Sequence, residues 1–185
     1  MITARNLKAD RRLQQKNESH LLHSRRVEPT KHLLWQSYLD GCRTLIDFGC
    51  NGGEWKKITE KIGYEVTGVD HVQWDSVDVL HDCNDLTAFP SNSYDCVQAT
   101  EIIEHLETHP QKTFKELKRI AKRYLIISTP GASNKWGGIQ AENIHRVEEI
   151  NYHTHKWYIP HSFYYENGCI DIDLSSRWTV LRARV

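Results

Sequence analysis

Leu45-Ile46-Asp47-Phe48-Gly49-Cys50-Asn51-Gly52-Gly53-Glu54-Trp55 reads as a strand, a glycine-rich turn and the start of a helix. A short apolar run ends in Asp47 and Phe48, the turn holds Gly49, Gly52 and Gly53, and a helical pattern follows with Trp55, Ile58 and Ile62. Such a turn lets a ligand approach backbone N–H groups, and the helix N-terminus favours negative charge. A glycine-rich turn alone is a weak signal. The next apolar run, Glu65-Val66-Thr67-Gly68-Val69, ends in Asp70. A carboxylate at that strand end can accept both hydroxyls of a ribose. Together the two features point to a nucleoside-containing cofactor.

Outward from this stretch the chain alternates strands and helices. Residues 5–40 predict helix, interrupted at Glu28-Pro29-Thr30, with Thr30 capping a helix that carries Leu33, Leu34, Tyr38 and Leu39 on one side. Strands are predicted over residues 44–48, 65–69, 78–82, 94–99 and 124–128. Gly63 stops the helix after Gly53. The link from Asp70 to Asp78 is too short for a crossover helix, so a turn or loop is expected. Phe114, Leu117, Ile120 and Ala121 mark the inner face of a later helix. Residues 131–156 are polar, with weak periodicity, and read as a long functional loop or lid. A helix over 162–167, ended by Gly168, leads into a hairpin of 169–174 and 178–184 across Ser175-Ser176-Arg177. This order predicts an α/β fold, Rossmann-like, with a mostly parallel sheet and an antiparallel C-terminal hairpin. Ligands bind at the carboxyl ends of strands in such sheets. Asp47, Asp70, Asp82 and the residues after Ala99 fall there.

Bulk properties narrow the classes. The 185 residues suit one compact domain, and 39% apolar with 26% charged residues is ordinary for a globular protein. The formal net charge of zero gives no global pull on nucleic acid or membrane. Residues 1–31 nevertheless hold eight Lys/Arg against three acids, either a solvated helix face or a substrate-binding arm. No apolar run could span a bilayer, and the start lacks a signal peptide's hydrophobic core, so a cytoplasmic protein is expected. Five cysteines without CxxC spacing read as reduced, mostly buried thiols.

Here the chain resembles the class I S-adenosylmethionine-dependent methyltransferases, from about Leu45 onward. Asp47-Phe48-Gly49-Cys50-Asn51-Gly52-Gly53 is similar to that family's first motif, an acid followed by Gly-x-Gly-x-Gly, with Asn51 where glycine is usual. Asparagine tolerates positive φ, so the turn is expected to survive. Asp70 matches the acid that holds the cofactor ribose, and Asp82-Cys83 matches the adenine motif. Residues 93–97, Glu104-His105-Leu106, residues 117–120 and residues 126–130 follow in the family's order. The Pro-Gly-Gly that often precedes the fifth strand is replaced by Ala121-Lys122-Arg123. The resemblance implies a seven-stranded sheet with helices on both faces, an N-terminal helical cap over residues 1–40 and a methyltransferase domain over 41–185. It implies cofactor contacts at Asp47, Gly49, Cys50, Asn51, Gly53, Asp70, His71, Asp82, Cys83 and Thr100.

Methyl transfer is an in-line displacement at a sulfonium carbon, so holding the acceptor aligned lowers the barrier. A hydroxyl acceptor also needs a base or a metal ion for its proton. Glu101, Glu104 and His105 are spaced i, i+3 and i+4, which on a helical turn puts them on one face. His105 and Glu104 are the catalytic candidates. Two subfamilies share the Glu-x-x-Glu-His run, the small-RNA 3′-terminal 2′-O-methyltransferases and the ubiquinone-pathway O-methyltransferases. The first also carries a later His in a context similar to Asn151-Tyr152-His153-Thr154-His155-Lys156-Trp157, which would make His155 the fourth ligand of a Mg²⁺ or Mn²⁺ site with Glu101, Glu104 and His105. Many relatives carry Glu-His-Leu without metal, and there His105 would cap the helix or line the acceptor pocket. A small-molecule acceptor and an RNA end both remain open. Trp136, Trp157, Tyr158 and Tyr164 could stack on a ring or belong to the core. The competing reading is a SAM-binding module without activity, or a partner subunit. A nucleotide-dependent oxidoreductase fits poorly, because the third glycine spacing is wrong.

Overall fold

The computed structural model describes residues 27–130, 144–146, 155–173 and 178–185. In chain order it forms α1 (Val27–Leu39), β1 (Thr44–Phe48), α2 (Glu54–Ile62), β2 (Glu65–Asp70), β3 (Val79–Leu80), β4 (Tyr94–Thr100), α3 (Pro110–Ile120) and β5 (Ala121–Pro130). There follow β6 (His145–Arg146), β7 (Trp157–Tyr158), α4 (His161–Glu166), β8 (Cys169–Asp173) and β9 (Trp178–Arg184). Seven strands make one sheet in the order β3-β2-β1-β4-β5-β9-β8. The first five are mutually parallel, and β9 runs antiparallel to both β5 and β8. β6 and β7 pair separately as a short antiparallel ribbon. The fold class is thus the one expected.

Alternation along the central strands sorts the core into two layers. Leu45 and Cys96 face α1 and α2, where they meet Leu33, Leu34, Trp55 and Tyr64. Ile46, Phe48, Val97 and Ala99 point to the other face, against Phe114 and Leu117 of α3 and Phe163 and Tyr164 of α4. Gly63 closes α2 in the left-handed region, φ 116°, and donates its N–H to the Glu60 and Thr59 carbonyls. Pro110 starts α3, where a missing N–H costs nothing. Chain order reverses between β1 and β4, which opens the crevice that α/β sheets use for ligands.

Several expectations need correction. Thr30 is no cap: α1 already begins at Val27, so Pro29 sits in its first turn, where proline is tolerated, and Thr30 is fully buried within the helix. Leu39 is exposed and lies off the buried side of α1. The third strand shrinks to Val79–Leu80, and residues 71–77 form turns and bends without a helix, as the short link required. Ala121 is the first residue of β5, not the last of α3, so helix passes into strand without a connecting loop. The proposed lid falls mostly outside the described residues, as do residues 1–26 of the N-terminal segment. Among the described residues no helix is long and apolar enough to cross a membrane.

Candidate functional site

The turn after β1 is built from three left-handed residues: Gly49 (φ 73°), Asn51 (φ 48°) and Gly53 (φ 83°). Asn51 therefore takes the conformation that glycine supplies in the motif it resembles. A Cβ on Gly53 would stand 2.4 Å from Cβ of Ser76, and one on Gly49 would stand 2.6 Å from Cδ1 of Ile102. Ser76 leaves no room for a side chain on Gly53, Ile102 would have to shift for one on Gly49, and the positive φ favours glycine at both. The Ser76 hydroxyl donates to the Asn51 carbonyl at 2.6 Å and so braces the turn from the β2–β3 loop.

Asp70, at the end of β2, is buried and organises this side of the crevice. Its Oδ2 accepts the Asn51 N–H and its Oδ1 the Val72 N–H, both at 2.9 Å. The exposed His71 has Nδ1 3.2 Å from Asp70 Oδ1. A carboxylate has about four lone-pair sites, so two backbone donors leave capacity for hydroxyls. Cys50 and Cys83 are buried beside it, and burial pushes each thiol up to about 12, so both act as small apolar groups rather than nucleophiles. Asp82 is exposed, and its Oδ1 accepts both the backbone N–H and the side-chain amide of Asn84. Thr100 is buried at the end of β4.

Asp47 differs in kind. It is 1% exposed, and neither carboxylate oxygen has a hydrogen-bond partner among the described residues. Burial, helped by the negative charges of Asp70 and Glu54 and opposed by Lys56, pushes its carboxyl up to about 8.

On the far side of β4 the helical premise fails. Residues 101–106 form a bend and a turn, not a helix, and Glu101 itself has φ 58°. A left-handed glutamate is strained, and such strain concentrates at functional sites. Its backbone N–H donates to the Ser128 carbonyl at 2.9 Å, and its Oε1 accepts the Ser128 hydroxyl at 3.3 Å. The side chains that do converge are Glu104, His105 and His155, whose ligand atoms lie within 4.8 Å of one another. Glu101 stands outside that group. His105 Nε2 is 3.9 Å from Glu104 Oε1, and the two imidazoles meet edge to face with centroids 4.7 Å apart. His155 arrives because residues 155–157 lie across the turn: Lys156 and Trp157 donate backbone N–H groups to the Glu104 carbonyl, and Trp157 Nε1 donates to the Leu106 carbonyl at 2.7 Å. Tyr164 is a core residue, fully buried with its hydroxyl 3.0 Å from that of Thr129. Trp136 lies outside the described residues.

Two residues escaped the sequence reading. Asn84 Oδ1 accepts the N–H groups of Glu107 (2.7 Å) and Thr108 (3.2 Å), which ties the loop after β3 to the Glu104 turn. An isolated loop asparagine gives no sequence signal of such a role. Gln98 is fully buried in β4 with both amide atoms unpartnered among the described residues. A glutamine inside the apolar run Cys96-Val97-Gln98-Ala99 was a visible signal.

The family model described as a methyltransferase domain matches residues 10–166. No curated protein matches the chain by sequence. Among solved structures, a Burkholderia thailandensis 1,6-didemethyltoxoflavin N1-methyltransferase, with bound 1,6-didemethyltoxoflavin and S-adenosylhomocysteine, superposes with TM-score 0.64 at 14% identity, covering 100% of this chain and 91% of that one. A SAM-dependent methyltransferase from Archaeoglobus fulgidus gives 0.61 at 18% identity, covering 91% and 97%. The [4+2]-cyclase SpnF gives 0.62 at 15% identity, covering 85% and 81%. At such identities the likeness is one of fold, that of class I S-adenosylmethionine-dependent methyltransferases, and it is the family model that carries the assignment: the chain belongs to the methyltransferase-domain family.

Proposed function

We propose that this chain transfers the methyl group of S-adenosylmethionine to a hydroxyl oxygen of a small molecule. The observation that carries the oxygen acceptor is the convergence of Glu104, His105 and His155 beside the end of β4. Support for the cofactor comes from Asp70, the left-handed turn at Asn51 and the orphaned Asp47 carboxyl, together with the S-adenosylhomocysteine of the toxoflavin enzyme. The site fits that group: a close backbone approach at Gly49 and Gly53, hydroxyl acceptors on Asp70, and a buried carboxyl for a cation.

S-adenosylmethionine supplies an electrophilic methyl on a sulfonium. The chain's part is to align the acceptor and take its proton. His105 Nε2 lies 3.9 Å from Glu104 Oε1, and its imidazole is the base that receives the hydroxyl proton. Glu104, 2% exposed, steadies the imidazolium that results. A second reading rests on the same cluster. One carboxylate and two imidazoles suit a borderline divalent cation, Mn²⁺ more than Mg²⁺, which would polarise the hydroxyl directly. A small acceptor is favoured over an RNA end by the zero net charge.

The test is transfer of labelled methyl from S-adenosylmethionine to a panel of phenols, sugar and aliphatic alcohols, and 3′-terminal RNA. His105→Gln should remove transfer while S-adenosylhomocysteine affinity stays within threefold. Protection of RNA from periodate, with no labelled alcohol, would replace the small-molecule acceptor by the RNA end. Collapse of cofactor affinity in His105→Gln would overturn the catalytic assignment.

A further inference from the structure

Resting on the methyltransferase reading, we infer that Gln98 is a cofactor-binding residue, which with Asp47 forms a paired polar seat for the amino-acid end of S-adenosylmethionine. The parallel register sets Asp47 of β1 directly beside Gln98 of β4. Paired residues on neighbouring strands project to the same face, and their i−2 neighbours, Leu45 and Cys96, both lie in the layer under α1 and α2. The two side chains therefore sit together on that face, one step nearer the carboxyl ends of the strands.

Both are closed from solvent, at 1% and 0% exposure, and all four of their polar atoms lack a partner among the described residues. Leaving a buried polar group unsatisfied forfeits its hydration with no bond in return, and bulk water cannot relieve it here. Two such side chains in register, at the switch point of the sheet, are costly as packing and useful as a receptor. The chemistry selects what they receive. A carboxyl with two oxygens and an amide with one oxygen and two N–H groups together offer acceptors for an ammonium and donors for a carboxylate. The amino-acid end of the cofactor carries that pair of charges. Its ribose is suited to Asp70, on the neighbouring strand β2.

The experiment compares two ligands on the full chain by calorimetry. S-adenosylhomocysteine carries the amino-acid end; 5′-methylthioadenosine has the same nucleoside and sulfur without it. Gln98→Leu should weaken S-adenosylhomocysteine at least about tenfold, leave 5′-methylthioadenosine within twofold, and keep or raise the melting temperature of the unliganded protein. Gln98→Met, an unbranched replacement, should reproduce the split if the leucine variant folds poorly. Equal loss of both ligands, or unchanged S-adenosylhomocysteine affinity, overturns the role given to Gln98. A wild-type chain that binds neither ligand instead overturns the methyltransferase reading, and this inference with it.

Discussion

Asn51 donates its backbone N–H to Asp70 Oδ2 at 2.9 Å, so the turn that follows β1 is held by the carboxylate that ends β2. One acid thus shapes the glycine-rich turn and faces the crevice. Asp70→Asn keeps the volume and loses the charge behind two backbone bonds, at a cost of about 1–2 kcal/mol in unfolding free energy. Urea titration should show that loss, and S-adenosylhomocysteine should bind at least tenfold more weakly.

Gly53→Ala combines a left-handed alanine with an overlap onto Ser76 Cβ at 2.4 Å. The expected loss is about 2–4 kcal/mol, from the backbone and the collision together. Adding Ser76→Gly should return the collision part, less what the lost Ser76–Asn51 hydrogen bond contributes. Equal melting temperatures for Gly53→Ala and wild type would contradict the cradle described here.

Asp47 makes stability depend on pH. Burial, then Asp70 and Glu54, raise its carboxyl to about 8 in the folded chain from an ordinary 3.8. Folded protein therefore keeps a proton that unfolded protein has lost, so stability falls as pH rises from about 4 to about 8 and is level beyond. Asp47→Asn should flatten that slope in melting curves recorded across the window. A bound ammonium favours the ionised form, so S-adenosylhomocysteine should release a proton near neutrality. Calorimetry in two buffers of different ionisation enthalpy reads it directly.

Asn84→Ala removes the acceptor that holds the Glu107 and Thr108 amides. The Glu104 turn should loosen while the carboxyl ends of β1 and β2 stay as they are. The expected pattern is a several-fold fall in kcat with S-adenosylhomocysteine affinity within twofold. Steady-state kinetics beside calorimetry separates the two.

If a cation serves the acceptor, EDTA should abolish transfer and Mn²⁺ should restore it, with His155→Ala weakening Mn²⁺ binding at least tenfold. Full activity after EDTA treatment would leave His105 and Glu104 to handle the proton alone.

Sheet, helices and cofactor side were legible because local patterns dictate them. An apolar run ending in Asp47 or Asp70 carries its own geometry, and Asn51 adopts the left-handed turn as its side chain allows. The acceptor side was not. The spacing of Glu101, Glu104 and His105 fits a helical turn, yet the strained φ of Glu101 bends the chain and removes it from the group. His155 reaches the cluster through bonds from residues 156 and 157 to the Glu104 turn, a long-range contact that no periodicity encodes. Thr30 misled because a capping residue type also serves inside a helix, and Ala121 because a helix can run straight into a strand. Chemistry must be read from such side chains rather than from topology, because one fold hosts many reactions.

β9 lies between β5 and β8 although it follows both in the chain. During synthesis the ribosome therefore releases two strands whose shared neighbour does not yet exist. Until Trp178–Arg184 emerges, β5 and β8 each present an unpaired edge, and the sheet is two fragments awaiting a bridge. Closure of the sheet waits on the long-range pairing of β9 with β5, and the interval before it is when a nascent chain is most open to chaperone capture and mispairing.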